Sequence, residues 1–210
     1  MATSPTTPAP ERSPRGVRTR EALVRAAREV FERDGFLDAR IVDIARAAGV
    51  ATGSFYTYFE GKDEVFAAVM AHVQEEMLHP RLPDDVRHDD PIVLIEATNR
   101  AYLEAYRRNA KLMALMEQVA TISEDFRLLR LERAAAFAER NARGIRRLQE
   151  QGLADAALDP LLAANATSSM VSRMANQVFV HGYEVDFEDL VRTLTRLWAN
   201  ALRVPTNEES

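Results

Sequence analysis

Residues 41–62 read IVDIARAAGVATGSFYTYFEGK. Ile44, Ala45 and Ala48 recur at helical spacing and predict a short helix with one buried face. Gly49 follows, the residue that takes a left-handed conformation at least cost and so stops a helix. Val50 plugs the corner. Thr52 offers a hydroxyl to cap a second short helix, whose Phe55, Tyr58 and Phe59 share one side. Helix, glycine turn and helix is a plan that presents the second helix to the major groove of DNA. The other side of that helix carries Thr52, Gly53, Ser54, Tyr56 and Thr57. These are small or hydroxyl-bearing residues, which let the backbone approach phosphates and side chains reach base edges.

The order DIARAAGV, TGSFYTYF and then Lys62 resembles the N-terminal signature of the tetracycline-repressor (TetR) family of transcriptional regulators. The resemblance runs from about Arg18 to Phe66, under a third of the chain. It implies a DNA-binding regulator with an effector cavity in a helical bundle. Its departures are local. Ala39 and Arg40 stand where the family usually has a pair of Thr or Ser residues, Ala51 replaces a common Ser, and Gly61 replaces another before Lys62.

Charge is divided along the chain. The net charge is −5 overall, yet residues 1–62 hold 10 Lys and Arg against 8 Asp and Glu. An acidic body stays off nonspecific polyanions, while a basic N-terminal arm attracts phosphate. Residues 1–16, rich in proline, serine and threonine, are expected to be a disordered arm. Arg15, Arg18 and Lys62 are candidate phosphate contacts, Tyr56 a hydroxyl donor to the backbone, and Thr52, Ser54 and Thr57 candidate base readers. Gly53, Tyr58 and Arg40 complete the expected DNA-binding set.

Cysteine is absent, which excludes disulfides, thiolate zinc sites and cysteine nucleophiles. No apolar run approaches a membrane span and the N-terminus lacks an apolar signal core, so a soluble cytoplasmic protein is expected. Patterns for nucleotide loops, zinc proteases or serine hydrolases do not occur, and no catalysis is expected. His79, His88 and the aspartates of HPRLPDDVRHDD, residues 79–90, invite a metal. They lack tight ligand spacing and flank two prolines, so an interhelical loop without metal or cofactor is expected.

The rest reads as helices. The first runs from about Val17 to Arg33 and is ended by Asp34-Gly35. A long helix opens at Lys62 and reaches about Leu78, and Asp90-Pro91 opens another to about Arg108. Lys111–Ala120 follows. Thr121 and Ser123 offer caps for a helix from about Glu124 to Gln151, closed by Gly152. Asp159-Pro160 opens a helix to about His181, and Asp186 opens the last, to about Arg203. The fold class is all-α with about nine helices. Residues 17–61 form a three-helix unit with the helix-turn-helix, and residues 62–204 a helical bundle for ligand binding and dimerisation.

The last helix has a wide apolar stripe with Leu190, Leu194, Leu197 and Trp198, and the preceding one is apolar nearly all round with many small residues. Two such helices from each of two subunits could form a four-helix interface, and the resemblance implies a homodimer joined there, with Ser169 and Arg173 on the facing helix. Adaptable and semi-polar residues are the candidate lining of the implied cavity: Tyr102, Tyr106, Met113, Met116, Phe137, Asn141, Met170, Met174, Asn176 and Gln177. The acidic body argues for a neutral or cationic apolar effector. The expected function is a repressor acting as a dimer on a palindromic double-stranded operator; the alternative is a helical scaffold or small-molecule binder without specific DNA binding.

Overall fold

The computed structural model describes residues 13–79 and 90–205. Among them every regular element is a helix: α1 (Pro14–Asp38), α2 (Ile41–Ala47), α3 (Thr52–Phe55), α4 (Lys62–Leu78), α5 (Pro91–Arg108), α6 (Ala110–Ala120), α7 (Glu124–Glu150), α8 (Pro160–Phe179) and α9 (Phe187–Leu202). The all-α class and the order of helices are those the sequence predicts. The chain falls into two compact units that divide between Val69 and Met70, inside α4 rather than at its start.

Residues 1–12 of the expected arm and residues 80–89 of the interhelical loop, with the metal question attached to it, lie outside the described residues. Residues 13–16 do not, and they correct the reading of the arm. The Ser13 hydroxyl accepts from the Gly16 backbone N–H at 3.3 Å, and Pro14 occupies the first helical position. Proline loses nothing there, because that N–H has no helical acceptor. Arg15 therefore stands in the first turn of α1.

In the first unit, α1 buries Leu23, Ala27, Val30 and Phe31, α2 buries Ile44 and Ala45, and α4 contributes Val65, Phe66 and Val69. Gly35 interrupts α1 at φ 79°, ψ 176°, a region essentially restricted to glycine. The break turns Phe36 back onto Phe31 and Phe66, with ring centroids 5.8 and 5.0 Å away. Each aromatic pair adds about 0.5–1.5 kcal/mol beyond its buried area.

The α2–α3 turn forms as predicted. Gly49 has φ 69°. Its N–H donates to the Arg46 carbonyl at 3.1 Å, and the Val50 N–H to the Ala45 carbonyl at 3.0 Å. This pair of bonds satisfies carbonyls that the end of α2 leaves open. A Cβ at position 49 would meet nothing within 4 Å, so Gly49→Ala should cost only backbone strain, about 1–2 kcal/mol. A urea midpoint equal to wild type would contradict that assignment.

Two expected caps are absent. Ala51, not Thr52, is the N-cap of α3, and it has no side-chain hydrogen bond. The chain enters α3 one residue earlier than the hydroxyl suggested, which places Thr52 inside the helix. Ser123 precedes α7 without a side-chain cap bond, and the hydroxyl of Thr121, the other cap candidate, donates instead to the Gln118 carbonyl at 2.6 Å. The aspartate caps do form. Asp90 accepts from Ile92 and Val93, Asp159 from Leu162, and Asp186 from Glu188 and Asp189.

In the second unit α7 lies along α8 and α5 along α9, while α6 closes against α7. Ile95, Ala142, Ile145, Ala164, Ala199, Leu202 and Val204 form a buried cluster, with Trp198 packed against it. Ala142 and Ala164 are fully buried, and side chains this small allow α7 and α8 to approach closely. Residues of α5, α7 and α8 also line a cavity.

Candidate nucleic-acid interface and helical cavity

Helix α3 is short, and its orientation is set by aromatic anchors. Phe55 and Phe59 are 0% and 1% exposed, with ring centroids 5.6 Å apart. The Arg20 guanidinium lies 5.0 Å from the Phe59 ring, a cation–π contact that the sequence did not single out. With that side fixed, Thr52, Gly53, Tyr56 and Thr57 are exposed, and Ser54 and Tyr58 half-buried. The Tyr56 ring meets Phe55 edge-on at 5.5 Å yet remains 57% exposed. Its phenol is thus carried on a supported ring.

The basic candidates differ in their freedom. Arg15 and Arg18 are exposed on α1. Arg40 donates to Asp43 at 2.8 Å, and Arg46 donates to the other oxygen of the same carboxylate at 3.1 Å. Asp43 thereby orients two guanidiniums at α2. Lys62 is half-buried: its Nζ donates to the Leu37 carbonyl at 2.9 Å and lies 4.8 Å from the Phe36 ring. One of its three protons thus ties the start of α4 to the end of α1, leaving two for another acceptor.

The second unit encloses a cavity of about 780 Å³, a volume within the range of small-molecule sites. Of the expected lining, Tyr102, Tyr106, Met113, Phe137, Asn141 and Asn176 are on its wall. The wall is organised by hydrogen bonds: Asn141 donates to the Ser168 hydroxyl at 2.9 Å, and Asn176 to the Tyr106 hydroxyl at 3.3 Å. The Tyr102 ring stands edge-on to Phe137 at 5.5 Å. Burial pushes the Tyr102 phenol up to about 12, against a smaller opposing effect of its hydrogen bond with Ser172. It therefore stays protonated at neutral pH.

Four expected lining residues are not on the wall. Met116 is 2% exposed and belongs to the core. Met170, Met174 and Gln177 are half-buried elsewhere on α8, because the helical phase that turns Ser168, Ser172 and Asn176 inward rotates these three away. Trp198, Ser169 and Arg173, assigned from sequence to a dimer seam, do line the cavity. Leu190 and Leu194 are 3% and 2% exposed within the single chain, so they have no surface left for a partner. Leu197, 47% exposed, is the candidate interface leucine that stays accessible.

The charge of the wall also departs from expectation. Arg130, Arg140, Arg143, Arg147 and Arg173 line it, with Glu117 as the sole acid among the described residues. Net charge over the whole chain says nothing about one wall. A signal was present: Arg130, Arg133, Arg140 and Arg147 recur at three- and seven-residue steps along α7, the spacing of one helical face.

Residues 23–69 match the family profile described as bacterial regulatory proteins, tetR family. The chain is 44% identical over 66 residues to the HTH-type transcriptional regulator SrpR of Pseudomonas putida, covering 31% of each chain. It is 33% identical over 91 residues to the HTH-type transcriptional repressor BepR of Brucella suis, covering 42% of this chain and 43% of that one. The alignments thus span less than half of either relative. Over nearly the whole chain the fold is similar to that of a TetR-family regulator from Rhodococcus sp., with a TM-score of 0.75, 18% identity, and coverage of 89% of this chain and 99% of that one. Residues 23–69 thus place the N-terminal part of the chain in the tetR family of bacterial regulatory proteins, and nearly the whole chain shares the fold of solved TetR-family regulators.

Proposed function

We propose that the chain is a sequence-specific, DNA-binding transcriptional repressor that works as a homodimer on a palindromic site and is released by a small molecule in the cavity of the second unit. The observation that carries this reading is α3 with the turn that follows it, where Phe55 and Phe59 are buried while Thr52, Gly53, Tyr56 and Thr57 stay exposed. A helix held by one face and bare on the other is what groove insertion requires. Arg15, Arg18, Arg40 and Lys62 supply phosphate contacts, and Thr52, Ser54 and Thr57 read base edges. The outer face of α9 around Leu197, with α8, forms the dimer seam.

Release requires an effector that favours a DNA-incompetent arrangement by on the order of 5 kcal/mol. Helix α4 spans the division between the units and is the covalent route by which an occupied cavity reaches the recognition helix. The reading is tested by selecting bound fragments from randomised DNA at low and at physiological salt. The expected product is a palindrome that survives the higher salt. Binding to every fragment alike, lost uniformly as salt rises, would leave only phosphate attraction and favour a scaffold.

A further inference from the structure

We infer that the cavity takes an organic anion, a carboxylate carried on an apolar body, with the charge held against the α7 wall. This rests on the cavity being the effector site, and it replaces a neutral or cationic ligand with an anionic one. Arg130, Arg140, Arg143, Arg147 and Arg173 line the cavity against one acid, Glu117. That acid already lies 3.7 Å from Arg130. No ion pair engages Arg140, Arg143, Arg147 or Arg173 among the described residues. Four positive groups therefore line one space, and none has an ion-pair partner among the described residues.

A fifth cation stands behind the wall. Arg133 is set back on α7, between the lining residues Arg130 and Phe137, and is 7% exposed. Its Nη1 is buried with no hydrogen-bond partner. Burial lowers its pKa to about 10, against a smaller opposing effect of Tyr102, which is on the cavity wall. The guanidinium is still positive at neutral pH. Arg140 is also lowered by burial and then by neighbouring Arg143. An unpaired buried cation is costly. An incoming carboxylate that completes the set recovers that cost, so the site is made for an anion rather than merely tolerant of one.

The polar wall points the same way. Asn141 and Asn176 donate to the oxygens of Ser168 and Tyr106, which leaves both hydroxyl protons free to point elsewhere. The Trp198 Nε1, a donor only, is buried without an acceptor. Leu94, Ile95, Met113, Phe137 and Leu148 supply apolar surface for the body of the ligand. Charge, donors and apolar side chains together on one cavity wall describe an amphipathic acid.

Trp198 is the only tryptophan of the chain and lines the cavity, so its emission reports occupancy directly. The full-length protein is titrated with decanoate, decanol and decyltrimethylammonium below their micelle concentrations, and with 4-phenylbutyrate and 4-phenylbutanol. Each acid should bind saturably and at least about tenfold more tightly than the alcohol of the same body, with the ammonium weakest. Arg140→Gln and Arg133→Met should each erase most of that advantage and leave the alcohols within about twofold. Arg133→Met should melt at or above the wild-type temperature, since it removes an unpaired buried charge; if it does not fold, Arg140→Gln carries the test. An alcohol or ammonium that binds as tightly as its acid would overturn the anion and leave the cavity reading intact. Failure of all five compounds to bind would overturn both.

Discussion

Leu194→Arg is expected to unfold the second unit rather than to separate a dimer. Leu194 is 2% exposed, between Leu190 and Ala199 on the buried stripe of α9. That stripe packs along α5, where the Asn99 amide donates to the Thr195 hydroxyl at 3.4 Å. An arginine there would meet apolar side chains and no carboxylate, at a cost of about 3–5 kcal/mol. Total stability is usually about 5–15 kcal/mol, so the melting transition should fall sharply or lose its cooperativity. Leu197→Arg is the informative partner variant. Leu197 is 47% exposed, so its stability should change by no more than about 0.5 kcal/mol. If α9 is the dimer seam, that variant should sediment as a monomer. A Leu194→Arg protein that melts like the wild type would refute the core placement.

The second large effect concerns DNA. Alanine at Thr52 or Ser54 should cost about 1–3 kcal/mol on the preferred site, a loss of roughly 10- to 100-fold. Affinity for random DNA should hardly move, because the phosphate contacts are untouched. Folding should not suffer either, since Thr52 is exposed and does not cap α3. Tyr56→Phe removes only a hydroxyl and should weaken every sequence alike. Competition titrations separate the two patterns. Equal losses on all sequences for all three variants would remove the base-reading role from α3.

What the sequence made legible was local chemistry with one structural solution. Asp90-Pro91, Asp159-Pro160 and Asp186 announced helix starts that form where expected, and Gly49 announced a left-handed turn. The alternation of Phe55 and Phe59 with hydroxyl residues told the inner side of α3 from the outer. Questions of partnership were not legible. The stripe of Leu190 and Leu194 looks the same whether it faces a helix of its own chain or of another, and only α5 decides it. Met116 and Met113 have similar spacing to the helix faces around them, yet one fills the core and the other lines the cavity. Ser13 escaped notice because it sits in a stretch whose composition argues for disorder. The α7 arginines were not singled out, since their common phase gains meaning only where their helix lines a cavity.

Symmetric, sequence-specific DNA binding is decided by a hydroxyl-radical footprint of the protein on its selected site at physiological salt. Two protected patches related by a two-fold axis and separated by a whole number of helical turns are expected, as for a dimer that sets one α3 in each half-site. A single unsymmetrical patch, or protection that spreads evenly along the fragment and fades with salt, would contradict it.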